Sequence, residues 1–318
     1  MPVLGPYSGP ASSYTVGYMI DRTFDLLLGA NREEMNRLTS NLDAVTTTFN
    51  VDFAPGSLVR GTYLTIDDEI MYVWSASPAS GSSSTLTVQR AMKGTTAATH
   101  TGQTLIFTNP YFTRYQVRQT LRDIIRSWAP QVFAVETLDI PAVNFVRGYD
   151  LGNLGPWMFV LDCRMSDDLL IASPDPKEWK EVSSYRVSQS ANLTDFPSGN
   201  ALFLTEPFPP FDQPRTIHLT FAVPIDVDTT FNDPDSLIAM GMDTSDLDIP
   251  PYGAAAQLAV SREMRRMLTE AQGAVADLQQ FPPGYAVNAA EKFQQIHDKR
   301  FNDAVQRLRA QYPLRRTS

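Results

Sequence analysis

The residues best placed for chemistry in this chain are three consecutive acids, Asp67-Asp68-Glu69, which open an apolar run. In an extended strand alternate side chains share a face, so Asp67 and Glu69 point one way and Asp68 the other. Two carboxylates on one face suit a general acid–base pair or half of a cation site. A charged hairpin edge that discourages unwanted strand pairing uses the same residues, and is the preferred reading. Replacing Asp67 by Asn and Glu69 by Gln is then expected to change stability by about 1 kcal/mol or less. A second acidic stretch runs Asp226-Val227-Asp228-Thr229-Thr230-Phe231-Asn232-Asp233. It has the look of a calcium loop but lacks the central Gly and the terminal Glu. It is expected to be a solvated loop or a strip facing a basic partner.

Histidine and cysteine are scarce. His100 lies in Gly94-Thr95-Thr96-Ala97-Ala98-Thr99-His100-Thr101-Gly102. A catalytic histidine needs an orienting carboxylate, and its sequence neighbours supply none. A loop histidine bonded to backbone is the expectation. His218, in a Thr/Leu strand, and His297, on a helix, are expected to be structural. Cys163 is the only cysteine, which excludes an intramolecular disulfide and a multi-cysteine zinc site. It is expected to be a small core residue rather than a nucleophile. Asn192-Leu193-Thr194 matches a glycosylation acceptor, but the N-terminus has no basic and apolar secretion signal. P-loop, dinucleotide, HExxH, GxSxG and CxxC patterns are all missing. No catalytic, cofactor-binding or metal-ligating residue is therefore assigned, no cofactor is expected, and the chain is read as not an enzyme.

The elements that must position these residues follow from composition and periodicity. The chain has 318 residues, 43% hydrophobic and 19% charged, enough for about two ordered domains. No apolar run is long enough for a membrane span, so no membrane partner is expected. The 26 basic and 35 acidic residues leave a net charge of −9, which argues against a general nucleic-acid-binding surface.

The expected fold is α+β. It has two mainly β domains, barrel or sandwich, with N-terminal helices, one Arg-rich linking helix and a C-terminal αα-hairpin. Residues 1–45 form an arm and two short helices, broken near Gly29-Ala30. The first helix carries Met19, Ile20, Phe24, Leu27 and Leu28. The second carries Met35, Leu38 and Leu42, with Asn31 as N-cap and Glu33 and Glu34 in its first turn. Residues 46–110 form a small β-barrel module with a long hairpin tip at 78–84. Residues 111–130 form the linking helix. Val117, Leu121, Ile124, Ile125 and Trp128 share its apolar face, and Arg114, Arg118, Arg122 and Arg126 form a stripe on another. Residues 131–225 carry six strand candidates, among them Phe145–Tyr149 and Trp179–Gln189, and form a β-sandwich. Residues 226–252 are a mostly extended acidic connector with a short helix at Ser236–Met240. Residues 253–318 form the helical hairpin, broken at Phe281-Pro282-Pro283-Gly284-Tyr285, and a basic tail. That tail holds Lys299, Arg300, Arg307, Arg309, Arg315 and Arg316.

Two blocks of opposite charge, far apart in sequence, suggest assembly. The acids of Asp226–Asp248 on one copy are expected to meet the arginine stripe or the basic tail of the next, head to tail as in a ring. Such an interface should weaken with salt. Reversal of Arg118 and Arg122 to Glu should harm assembly more than folding. The C-terminal helices are expected to pack on a neighbour, so that deleting 254–318 leaves the β domains folded.

A resemblance covers about 40 residues. Leu64-Thr65-Ile66-Asp67-Asp68-Glu69-Ile70-Met71-Tyr72-Val73 is followed by Leu86-Thr87-Val88-Gln89-Arg90-Ala91 and then by Gly94-Thr95-Thr96-Ala97-Ala98-Thr99-His100. This resembles a small β-module that recurs in virion proteins of tailed bacteriophages. Its pattern is an acidic D-E before an apolar strand, then V-x-R-G, then G-T-x-A-x-x-H. Ala91 stands where that module usually has Gly. The order of elements over residues 19–150 is similar to head–tail connector, or neck (adaptor), components, with Asn109-Pro110-Tyr111-Phe112 and Val143-Asn144-Phe145-Val146-Arg147-Gly148-Tyr149-Asp150 as further markers.

The resemblance implies a structural virion protein, assembled in the bacterial host cytoplasm and located at the head–tail junction. It implies a homo-oligomeric ring, for which twelve copies is one arrangement, with portal and tail or neck proteins as partners. DNA would pass transiently and without specificity. Another virion part (baseplate, tail-tip or decoration protein) is the alternative, followed by a carbohydrate-binding protein or enzyme.

Overall fold

The computed structural model describes residues 14–28, 35–53, 58–78, 83–152, 155–166, 179–182, 184–206, 215–228, 231–271 and 285–312, without the side chains of 78, 262–271 and 285–286. The N-terminal arm, the Gly29-Ala30 break, Asn31, Glu33, Glu34, the hairpin tip at 79–82, Phe281–Gly284, Arg315 and Arg316 lie outside the described residues. The fold is mixed α+β, with helices and antiparallel sheets, one of them curled into a half-barrel. Two compact units share the chain. The first holds Met1–Ile124, Asn232–Asp235 and Asp248–Lys299; the second holds Ile125–Phe231, Ser236–Leu247 and Arg300–Ser318. The acidic segment and the last helix therefore contribute to both units.

In the first unit α1 (Val16–Leu28) packs on α3 (Ile249–Ala271). Close approach is possible because α3 offers the small buried residues Ala254, Ala255 and Ala256. The half-barrel has six strands: β1 (Met35–Arg37), β2 (Thr48–Val51), β3 (Tyr63–Ile66), β4 (Glu69–Pro78), β5 (Ser84–Gln89) and β6 (Leu105–Thr108). Their order is β1-β6-β3-β4-β5-β2. A bridge between Leu38 and Val51 joins the two edge strands, so the sheet curls upon itself around Leu38, Leu64, Ile66, Met71, Leu86 and Ile106.

β1 corrects the sequence reading. Met35, Leu38 and Leu42 were spaced for a helix, but the segment is extended. Asn36, 2% exposed, donates from Nδ2 to the Phe53 carbonyl (3.0 Å) and accepts the Phe53 N–H on Oδ1 (3.1 Å). Leu38 and Leu42 are buried in the barrel instead of on a helix face. Two apolar residues four apart fit either structure when a chain crosses a curled sheet, and tertiary burial decided between them.

α2 (Arg114–Ser127) is the expected linking helix, with Val117, Leu121, Ile124 and Ile125 buried. The second unit has a four-stranded sheet in the order β10-β9-β13-β7 and a three-stranded sheet in the order β11-β12-β8. These strands are β7 (Ala134–Pro141), β8 (Gly148–Asp150), β9 (Phe159–Ser166), β10 (Trp179–Glu181), β11 (Tyr185–Ser188), β12 (Ala201–Leu204) and β13 (Thr216–Val223). The single strand expected over Trp179–Gln189 is two, in different sheets, and Phe145 sits in a turn with φ 64°.

The acidic stretch is a run of turns, not an extended connector. At the expected short helix only one helical hydrogen bond, Met240 N–H to the Ser236 carbonyl (3.2 Å), is made. Leu237, Met240, Met242 and Leu247 are buried, which the flanking aspartates concealed. α4 (Tyr285–Gln311) likewise supplies core to the second unit, burying Ala304, Val305 and Leu308 and setting Phe301 6.0 Å from Trp128. Residues 254–318 thus pack against the rest of their own chain in both units, whereas the half-barrel core is drawn from Leu38–Ile106 alone.

Candidate functional site

The β3–β4 hairpin turns through Asp67 and Asp68, with Ile66 paired to Glu69. Asp67 takes the left-handed backbone, φ 52°, which Asp tolerates because its short side chain bonds locally. It is thus a turn residue, and the strand alternation expected of Asp67 and Glu69 does not apply. Glu69 points into the barrel with its side chain fully buried, whereas Asp67 sits at the mouth with 60% of its side chain exposed.

His100 joins them across the barrel. Its Nδ1 lies 2.8 Å from Asp67 Oδ2 and its Nε2 3.0 Å from Glu69 Oε2. Its backbone pairs with Leu42 in both directions, at 2.7 and 2.8 Å. Expected to bond only to backbone, His100 instead has two carboxylates from a hairpin thirty residues away in sequence. Glu69 also receives Arg90 through Nε to Oε1 (2.8 Å) and Nη2 to Oε2 (2.5 Å), the Ala91 N–H (3.2 Å) and the Ala98 N–H (3.1 Å). Arg90 spends its other hydrogens on the carbonyls of Ala98 (2.6 Å), Thr46 (3.2 Å) and Asp43. The irregular segment between β5 and His100 is held largely by this cluster.

The electrostatics fix the charge states. Burial pushes the Glu69 carboxyl up, but the hydrogen bonds of Arg90, His100, Ala98 and Ala91 outweigh it and hold the carboxyl at about 2. Burial pushes His100 down, but Asp67 and Glu69 overcome it and raise the imidazole to about 9. Both ring nitrogens face acceptors, which an imidazolium satisfies by donating twice. At neutral pH the chain Asp67⁻, His100⁺, Glu69⁻, Arg90⁺ alternates in sign. A general base works best with a pKa near the working pH, and neither group meets that condition. The arrangement serves as an ionic weld. Among the described residues there is no group of three or more His, Cys, Asp or Glu that could hold a metal ion.

Of the polar residues in the motif, Glu69, Arg90 and His100 build this weld, and Thr95 fixes the turn beside it. Gly94 supplies a left-handed turn, φ 83°, and Thr95 Oγ1 accepts the Ile70 N–H (3.1 Å) while donating to the Met92 carbonyl (2.8 Å). Ala91 stands at φ 55° and ψ 44°, a left-handed conformation that glycine adopts freely and a residue with a Cβ does not. Arg90 and His100 were missed as partners of Glu69, yet the motif that names acid, arginine and histidine together was the signal.

The other candidates disperse. Asp68 leaves the hairpin on its other side and pairs with Arg118, which also pairs with Asp233. Burial raises the Asp68 carboxyl, with Arg118 opposing. Arg114 binds Asp21 (2.7 Å) and Asp233 (2.8 Å). In the second unit Arg126 binds Asp228, and Arg307 binds Asp246 (2.6 Å). The acidic stretch and these arginines thus meet within one chain rather than waiting for another copy. His218 pairs with Asp139 across β13 and β7 (2.6 Å), and His297 with its neighbour Asp298 (3.0 Å). Cys163 is 1% exposed, and burial, with Asp162, pushes its thiol up to about 12, a core residue rather than a nucleophile. Asn192 is bonded to Asp195 (3.1 Å) and to the Thr194 N–H (3.1 Å) inside a turn.

No helix among the described residues is long and apolar enough to cross a membrane. Comparison with protein-family models and with curated proteins finds no match.

Proposed function

We propose that this chain is a structural component of a tailed-phage virion, a ring-forming neck or head-to-tail connector that joins portal and tail along the DNA exit path. The observation that carries this reading is the motif of residues 64–102. Its resemblance to the virion β-module extends to Glu69, Thr95 and His100, and these, with Arg90, are the residues that hold the half-barrel's irregular segment in place. A non-enzymatic role is supported by how the titratable groups are used. Asp67, Glu69, Asp139, His100 and His218 are committed to one another or to arginine.

The test is to purify the chain with the portal protein of the same genome, weigh the complex by light scattering, and image it by electron microscopy. A ring seated on the portal is expected. A chain that stays monomeric and ignores the portal, or that localises to the baseplate or capsid surface of labelled virions, overturns the neck assignment.

A further inference from the structure

On its outer side the half-barrel carries a continuous row of rings and cations. Tyr63 and Tyr72 are cross-strand partners on β3 and β4, on the face opposite the buried Leu64 and Met71, with ring centroids 5.6 Å apart. Trp74 follows, 5.3 Å from Tyr72 and 45% exposed. At one end the Arg60 guanidinium lies 4.9 Å over the Trp74 ring, and at the other the Lys93 ammonium lies 3.9 Å over Tyr63.

Two features of the backbone set this row in place. The β4–β5 register slips between Val73 and Ser75, so Trp74 is the unmatched residue of a bulge, a device that re-aims a side chain. Lys93 is held in the left-handed region at φ 54°, ψ 33°, unfavourable for a lysine. Arg60 and Lys93 are exposed and have no carboxylate partner among the described residues, a state they share with Arg37, Arg147 and Arg186. A chain of net charge −9 thus keeps two unneutralised cations at the ends of an aromatic row.

We propose that this row binds single-stranded nucleic acid, with a base stacking on the exposed Trp74, which Tyr72 supports edge-on, and phosphates meeting Arg60 and Lys93. Cations alone would serve a duplex equally well. The exposed Trp74 adds the selection, because unpaired bases offer faces for stacking and paired bases do not. The proposal stands independently of the virion reading.

The test uses the full chain and a fluorescein-labelled oligothymidylate of about 12 nucleotides at low salt, read by anisotropy and by quenching of tryptophan emission. Trp74→Ala should weaken binding about tenfold or more. The pair Arg60→Ala, Lys93→Ala, which removes only surface side chains, should weaken it and reduce the salt slope by about 1.4. Circular dichroism of both variants should match the parent. No binding at low salt, binding unchanged in both variants, or equally tight binding of a duplex of the same length would overturn the proposal. So would binding of a neutral glycan that is lost in Trp74→Ala while no oligonucleotide binds.

Discussion

Arg90 grips Glu69 with two parallel hydrogen bonds, Nε to Oε1 at 2.8 Å and Nη2 to Oε2 at 2.5 Å, where the two side chains are 6% and 0% exposed. A charge pair so placed is only modestly favourable against an apolar replacement, but breaking it strands the surviving ion in a medium that solvates it poorly.

Glu69→Gln should therefore lower stability by about 3–5 kcal/mol in urea denaturation, because Arg90 and His100 lose their buried counter-charge. Asp67→Asn, at the exposed mouth of the barrel, should shift it by about 1 kcal/mol or less. The two acids first taken as a matched pair are thus expected to differ several-fold. Equal effects would show that burial does not set their roles.

Stability should peak between about pH 4.5 and 6.5. Glu69 falls from 4.5 to about 2 on folding, so its contribution is complete above pH 4.5 and disappears as pH drops towards 2. His100 rises from 6.5 to about 9, so its contribution is complete below pH 6.5 and is lost as pH climbs through 9. Asp68 and Asp246, whose carboxyls burial raises, soften the acid limb. Thermal melts across this range should show both limbs, and His100→Gln should flatten the alkaline one. An unchanged alkaline limb in that variant would count against the cluster as its cause.

Ala91→Gly should stabilise the chain by about 1 kcal/mol, since a residue with a Cβ pays roughly that to stand at φ 55°. The hydrogen bond from its N–H to Glu69 survives the change. A loss of stability would place the strain elsewhere.

Gly241→Ala should be far more harmful than Gly94→Ala. Both sit at positive φ, 89° and 83°, but a Cβ on Gly241 would collide with the Ala134 Cβ, while one on Gly94 meets nothing within 4 Å. The expected losses are about 3 kcal/mol or more for Gly241, from overpacking, and about 1–2 kcal/mol for Gly94, from backbone strain alone. Urea midpoints of the two variants decide it.

Arg118→Glu should lower the melting temperature of the chain by itself, at concentrations where no assembly forms. Arg118 is 11% exposed and holds Asp68 and Asp233, so reversal places three negative charges together. A normal melt with impaired assembly would restore the reading in which the stripe serves a neighbouring copy.

The sequence by itself determined what short-range periodicity and composition can carry. It specified the α+β class, α1, α2 and both C-terminal helices, most strands of both β regions, the burial of Cys163, and the motif in which Glu69, Arg90 and His100 stand, though not their contacts. Partners that no period relates were decided only by the tertiary structure. Asn36 can act as a backbone surrogate only once Phe53 lies beside it, which turned a helical spacing into β1. His100 meets Glu69 31 residues away, and Arg114 meets Asp233 119 residues away. Like charges along a helix show that a counter-charge is wanted, not where it comes from. That choice fell to the folded chain, because an ion half-removed from water gains most from the nearest opposite charge that burial also shields from solvent.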